Sequence, residues 1–529
     1  MLHTPRSRRG MVTSPHHLAS EAGLRVLREG GTAIEATVAM AATLPVVYPH
    51  MTSIGGDGFW LVASPGKDVV AIDACGAAGE KATNAFYKSH GDKTIPWRGP
   101  RAALTVAGTM AGWGEVLRLN SELGGNLPLS RLVEDAVWHA ENGFAVTKSQ
   151  ADLTTEKFDE LKDQPGFKEH FLTNGEPPRE GQLMKLSALG RTLKRLGQHG
   201  TADYYSGAIA KGVAADLANI GAPVTAADLA RHKAERKAPL SVKVKVGQLF
   251  NMPPPTQGLA SLMILALFDR MRIKSADDFK YLHAIIEATK QAFIVRDRII
   301  GDPASMTEDP SAYLVKEKLD ELAKRIDKKS ALPWPAPIDK GDTVWLGAID
   351  KDGHAVSFIQ SIYHEYGSGC VLPETGIIWQ NRGASFILDN KGPRGLAPGR
   401  KPFHTLNPAL ARLKDGRVMV YGNMGGEGQP QTQSAVFSRY AMLGVPLQEA
   451  ITRPRWLLGR TWGQESMTLK LENRFDPKLI KRMAKAGHNV EVMPAFSQAM
   501  GHAGAVVRHP EGIFEGATDP RSDGAAMGF

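Results

Sequence analysis

From residue 344 to 349 apolar residues run almost without interruption, and residues 355–361 repeat the pattern after a polar turn at Lys351-Asp352-Gly353. Two apolar runs of strand length joined by a glycine turn predict a β-hairpin. Upstream, residues 11–15 predict a strand and residues 17–24 a helix closed near Gly30-Gly31. Residues 32–44 predict a second helix of small residues suited to close packing. Residues 53–58 are a flexible turn entering a strand at 59–62. Leu129, Leu132, Val133, Ala136 and Val137 fall at helical spacing after Pro128, and Leu186, Leu189, Leu193 and Leu196 do the same up to Gly197. A strand at 240–246, apolar helices at 259–268 and 282–295, and a charged helix at 316–330 follow. Beyond the hairpin the chain turns to short strands, at 366–370, 375–379, 418–421, 503–507 and 512–514.

The 418–421 strand enters a loop from Gly422 to Gln433 that carries Gly425 and Gly426, and a helix follows through 435–443. Strand, glycine loop and helix in that order direct backbone N–H groups at an anion. The Lys-Ser/Thr ending of a nucleotide-binding P-loop is missing. At 332–340 three prolines, Pro333, Pro335 and Pro337, exclude helix and strand interior and predict an exposed, extended connector. It ends just before Gly341-Asp342-Thr343, where the hairpin begins. On its own, a threonine opening a strand is well explained as a β-former, and a connector between domains explains the prolines. If the chain is cut before Thr343, however, that residue carries its own amine, which can take the hydroxyl proton and make the oxygen a nucleophile.

Bulk properties narrow the field. The 529 residues are 42% hydrophobic and 22% charged, the balance of a soluble globular protein with a large core. The net charge of +9 favours anionic substrates, but no dense basic run marks a nucleic-acid face. The apolar run at 33–47 contains Glu35 and ends among prolines, a poor membrane span. The basic opening residues are not followed by an apolar segment, which points to the cytoplasm. Two cysteines, Cys75 and Cys370, make neither a disulfide scaffold nor a metal cluster, and a buried free thiol is expected at each.

In order along nearly the whole chain, residues 53–57, 106–113, 253–258, 298–303, Asp342-Thr343, Gly425-Gly426 and 519–526 resemble the gamma-glutamyltranspeptidase family of N-terminal-nucleophile hydrolases. The resemblance implies an α+β fold, a four-layer αββα sandwich. It also implies an inactive precursor that cuts itself between Asp342 and Thr343. The large subunit, 1–342, and the small subunit, 343–529, then stay interleaved as one domain. It further implies Thr343 as nucleophile with its freed amine as general base, Gly425 and Gly426 as the oxyanion hole, Ser361 beside the nucleophile, and no metal or other cofactor. The sequence leaves room for a homo-oligomer.

Departures from the family pattern bear on the substrate. Members that bind a gamma-glutamyl group hold its α-carboxylate with an arginine where this chain has Cys75, in Asp73-Ala74-Cys75-Gly76. They hold its α-amine with an acidic pair that is missing from Gln380-Asn381-Arg382-Gly383-Ala384-Ser385-Phe386, and His404-Thr405 stand where they have paired serines. A buried ammonium without a counter-charge is costly, so a small acidic amide is expected instead. Asn381, Arg382, His404 and Thr405 are the substrate-binding candidates. Arg382 is either a clamp for a carboxylate or a surface arginine. The pattern resembles the oxamate-hydrolysing branch of the family, which implies conversion of oxamate to oxalate and ammonia. The alternatives are a gamma-glutamyl hydrolase or transferase, another acylase, or a relative whose Asp342–Thr343 bond stays intact and that acts by protein interaction.

Overall fold

The computed structural model describes residues 3–334, 342–459 and 467–529. Residues 335–340 of the expected proline connector, and Gly341 after it, lie outside the described residues. Two seven-stranded sheets form the centre. The first runs Ala525–Gly528, Gly10–Ser14, Asp342–Asp350, Ala355–Tyr363, Asp57–Ala63, Val70–Asp73 and Glu235–Lys237. The second runs Arg6–Ser7, Phe514–Thr518, Ala503–Arg508, Val418–Asn423, Ala409–Leu413, Gly247–Asn251 and Leu240–Val244.

Why the 344–349 run is apolar at every position follows from what lies on its two faces. Val344, Leu346 and Ala348 point outward into a core shared with the helices His17–Arg28 and Ala33–Val47. Trp345 and Ile349 point the other way, against Leu410, Val420 and Val506 of the second sheet. A strand covered on both faces has no reason to alternate. Outside the second sheet lie Gly258–Arg270, Phe279–Ile299 and Gly428–Phe437. Helices, sheet, sheet, helices is the four-layer αββα sandwich that the sequence implies.

Ala33–Val47 is buried along its whole length, which accounts for its small residues, and Thr32 and Glu35 close its start with a reciprocal capping box. Between the sheets the Trp345 indole lies flat on glycines. A Cβ on Gly422 would sit 2.2 Å from its Cδ1, and one on Gly504 would sit 2.5 Å from its ring. Its Nε1–H donates to Ser357 Oγ at 2.9 Å.

Several boundaries differ from the sequence reading. The stretch expected as one helix over 129–137 is a turn at Leu129–Leu132 and a helix at Glu134–Asn142, with Val133 between them. The charged helix stops at Lys324, because Asp327 accepts the N–H groups of Lys329 and Ser330 and turns the chain. The 240–246 strand is Leu240–Val244, and it hairpins directly into Gly247–Asn251, which was not foreseen. Residues 366–370 are turn, and the next pairing is only Val371–Leu372 with Ile377–Ile378. The closing strand begins at Phe514, since Gly512 sits in the turn before it at φ +79°. Both cysteines are free and buried.

If the indole spaces the sheets, a single methyl on its glycine floor must disturb it. Gly422→Ala is expected to lower the unfolding free energy by about 1–3 kcal/mol, the usual cost of overpacking a core. Chemical denaturation monitored by tryptophan fluorescence checks this; an unchanged midpoint would show that the contact carries no load.

Candidate active site

Thr343 is the second residue of Asp342–Asp350 and is fully buried. Asp342 pairs with Tyr363 and Val344 with Gln360, so the register slips at Thr343 itself. Such a bulge re-aims a side chain. Alternation places Thr343 on the same side as Trp345, facing the second sheet. There its Oγ1 lies 3.3 Å from Ser361 Oγ and 3.3 Å from Gln429 Nε2, which donates to it. Ser361 comes from the neighbouring strand and accepts the Tyr363 N–H at 2.8 Å. Gly56 lets a third strand close in behind, since a Cβ there would meet the Ser361 carbonyl at 2.0 Å.

Gln429 stands in the first turn of Gly428–Phe437, and the loop that leads into that helix carries Gly425 and Gly426. Their φ values are +119° and +50°, conformations that side chains rarely adopt. The Gly426 carbonyl is fixed by Gln257 Nε2 at 2.8 Å, and Gln257 in turn accepts from Arg296 at 2.9 Å. Among the described residues neither the Gly425 nor the Gly426 N–H is spent on a protein acceptor. Buried N–H groups are usually paired.

Arg382, which the sequence allows as a surface residue, is fully buried. Its guanidinium lies over the Tyr363 ring, 3.6 Å from the centroid, and donates to Thr405 Oγ1 at 3.1 Å. Tyr363 is the register partner of Asp342, so this cation sits beside the Asp342–Thr343 bond. Tyr363 also takes φ +84°, strained for a bulky residue. Asn381 is placed differently. Its Nδ2 donates to the Trp97 carbonyl and its Oδ1 accepts the His364 N–H, so its amide brackets two backbone segments.

His404 leads to a residue that sequence reasoning passed over. Its Nε2 lies 2.9 Å from Asp57 Oδ2, and Asp57 Oδ1 accepts the N–H groups of Gly76 and Gly108. Burial pushes the Asp57 carboxyl up to about 7, against the pull of Gly76 N–H, Arg382, Gln380 and Gly108 N–H. Burial, then Arg382 and Lys401, hold the His404 imidazole well below its ordinary range, so the ring is neutral. Once Asp57 is ionised, His404 donates Nε2–H to it. Cys75 stands at the same cluster, its ligand atom within 4.8 Å of those of Asp57 and His404. Burial pushes its thiol up, and Asp57 and Asp73 add to that shift. It is a thiol rather than a thiolate, and the hydrogen bond between Asp57 and His404 occupies the Nε2 of the imidazole.

Gln429, Tyr363 and Asp57 are the additions of the structure. Only Asp57 had a signal in the sequence, an acid in a Gly-Gly-Asp-Gly turn that opens a buried strand. A cavity of about 1340 Å³ lined by Lys243, Lys245, Arg272 and Lys324 includes none of these residues.

Comparison with known proteins bears directly on this arrangement. Over 524 residues the chain is 56% identical to the oxamate amidohydrolase proenzyme of Klebsiella pneumoniae subsp. pneumoniae, covering 99% of both chains. It is 38% identical over 522 residues to a glutathione hydrolase-like proenzyme, YwrD, of Bacillus subtilis, covering 98% of both. In three dimensions it is similar to a cephalosporin acylase from Bacillus halodurans. That match has a TM-score of 0.92 at 30% identity and covers 100% of this chain and 97% of that one. The gamma-glutamyltranspeptidase family profile matches residues 19–529. A strand-opening threonine set against a glycine loop is thus found in a chain aligned end to end with such proteins, and this chain belongs to the gamma-glutamyltranspeptidase family.

Proposed function

We propose that the protein is a self-processing amidohydrolase that converts oxamate to oxalate and ammonia through an acyl-enzyme on Thr343. The observation that carries the reading is the setting of Thr343 Oγ1, buried between Ser361 and Gln429 at the mouth of a loop with two unspent amides. In maturation Thr343 Oγ attacks the Asp342 carbonyl carbon, the C–N bond breaks, and the proton lost by oxygen goes to the departing amine. Water then cleaves the ester, leaving subunits 1–342 and 343–529. In turnover the freed amine takes the Oγ proton while oxygen attacks the amide carbonyl. Ammonia leaves with that proton, and water releases oxalate from the ester. The Gly425 and Gly426 N–H groups hold the tetrahedral oxyanion, each such donor contributing about 3 kcal/mol.

Substrate choice follows from charge. The buried cation beside the scissile bond is Arg382, and a carboxylate next to the reacting carbonyl of a small amide meets it directly. Thr405 orients that guanidinium, the neutral His404 is tied to Asp57, and Asn381 holds the loop. An α-ammonium group, as in a gamma-glutamyl substrate, would face Arg382 without a counter-charge. The oxamate amidohydrolase proenzyme similar over the full length supports the same choice. A reducing, cytoplasmic setting suits two free buried thiols. Among the described residues no helix is long and apolar enough to cross a membrane.

On purification the wild-type chain should run as two fragments, the smaller beginning at Thr343, and release ammonia from oxamate. Thr343→Ala should stay whole and inactive. Denaturing electrophoresis with end sequencing reads the first, and an ammonia assay against glutamate release from glutathione reads the second. Processed protein with no oxamate turnover would reject the substrate.

Arg382→Met should lower kcat/KM for oxamate roughly 10- to 100-fold, the worth of a hydrogen bond to a charged group. The loss should be smaller for an uncharged amide of the same size, which steady-state kinetics on both substrates decides.

The Asp57 carboxyl predicts a pH signature. Its pKa rises from 3.8 to about 7 on folding. Between those values the folded chain keeps a proton that the unfolded chain has lost. Its stabilisation is therefore complete below the lower value and is lost as pH climbs through the upper one. Asp57→Asn keeps the shape and does not titrate. Wild-type minus variant unfolding free energy should fall from pH 4 to 7 and level off above. A flat difference would mean that Asp57 is ionised throughout.

A further inference from the structure

On the helix Phe279–Ile299, in the layer outside the second sheet, His283 and Glu287 stand four residues apart and so share one face. His488, from the connection between Pro477–Lys485 and Val490–Met493, comes up against them. All three side chains are buried, and one ligand atom from each lies within 4.8 Å of the other two. None of them belongs to the site around Thr343. Two imidazoles and a carboxylate, one imidazole and the carboxylate a helical turn apart, are a donor set that takes a divalent transition metal.

Hydrogen bonds decide which ring nitrogens are available. A carbonyl only accepts, so His283 Nε2, 2.9 Å from the Asp327 carbonyl, carries a proton. In the neutral ring that leaves Nδ1 as a lone pair, and it faces His488 Nε2 at 2.9 Å. Phe279 stacks on the His283 ring, 5.2 Å between centroids, and holds its plane. A proton on His488 Nε2 bridges the two nitrogens. His488 Nδ1 is buried with no hydrogen-bond partner among the described residues, so the ring can carry its proton there and free Nε2 as a second ligand. Two zinc–nitrogen bonds of about 2.0–2.1 Å at the tetrahedral angle place their nitrogens about 3.4 Å apart, so the rings need part by only roughly half an ångström. Glu287 Oε1 lies 2.6 Å from Lys290 Nζ, and Oε2 accepts the Leu332 N–H at 3.1 Å. A carboxylate offers about four lone-pair sites, and the rest remain for an ion.

We propose that His283, Glu287 and His488 bind one zinc ion, with water in the fourth position. Magnesium and calcium, which take oxygen ligands, do not suit two imidazoles. The Lys290 ammonium opposes the charge of the ion and sets the affinity below that of a site with an unpaired carboxylate. His283 and Glu287 precede Thr343 in the chain and His488 follows it. The ion therefore ties together the two sides of the bond that the self-processing reading cuts, although binding itself does not depend on that reading.

The test uses tag-free, full-length protein stripped with a chelator and titrated with Zn²⁺. Bound metal is counted by elemental analysis after gel filtration, and Co²⁺ in place of zinc reports the donor set by its absorption. Wild type should hold one zinc per molecule, undisturbed by a large excess of Mg²⁺. Saturating zinc should raise its thermal midpoint by at least about 2 °C. His488→Gln and Glu287→Gln should each bind at least about tenfold more weakly and lose that rise. The cobalt form should show the visible bands of four-coordinate metal without thiolate charge-transfer absorption. Thiolate absorption would put the ion at Cys75 and overturn the inference. Undiminished binding in the two variants, or a wild type that retains no stoichiometric zinc, would do the same. If His488→Gln does not fold, Glu287→Gln, which keeps the shape of the side chain, decides alone.

Discussion

The contact on which the site depends is an indole lying on bare backbone. Trp345 can rest against the second sheet only because Gly422 and Gly504 present no side chain there. That closeness brings the first strand of the hairpin to the end of Val418–Asn423, where the chain turns through Gly425 and Gly426. Thr343, two residues before the indole, shares its face and is delivered to that loop. A thicker packing layer would separate the hydroxyl from Gln429 and the two amides. The same backbone approach sets both the spacing of the sheets and the assembly of the reacting groups.

The charges around this point are arranged for an anion. Arg382 is buried over an aromatic ring, where its attraction for a carboxylate is screened less than at a surface. The Asp57 carboxyl, which feels the charge of Arg382, is pushed up by burial and tied to His404 and to backbone N–H groups. A neutral imidazole rather than an imidazolium beside Asp57 keeps the local balance from becoming too positive. In a site that had to hold an amino acid's ammonium group, Arg382 and an uncharged Cys75 would be the wrong partners.

How much of this was readable beforehand depended on whether local pattern or distant contact fixed the feature. The hairpin, the buried small-residue helix Ala33–Val47 and the glycine loop each announce themselves through periodicity or composition. Thr343 was singled out because of what precedes it and what the chain resembles, not because a strand-opening threonine is unusual. Arg382 was undecided in sequence, since burial under Thr405 and over Tyr363 is a property of three segments meeting. Gln429 and Tyr363 carried no signal, because a glutamine in a first helical turn and a tyrosine ending a strand are common. The end of the charged helix at Lys324 rested on one side chain, Asp327, competing for backbone N–H groups.

The continuous chain also explains why the two halves of the reading belong together. Thr343, Ser361, Arg382, His404 and Thr405 are all buried while Asp342 is still attached. Asp342 is paired with Tyr363, the residue that carries the guanidinium. On the proposed cleavage, the pairing of Asp342 with Tyr363 is released on one side of the bond and the amine of Thr343 is created on the other.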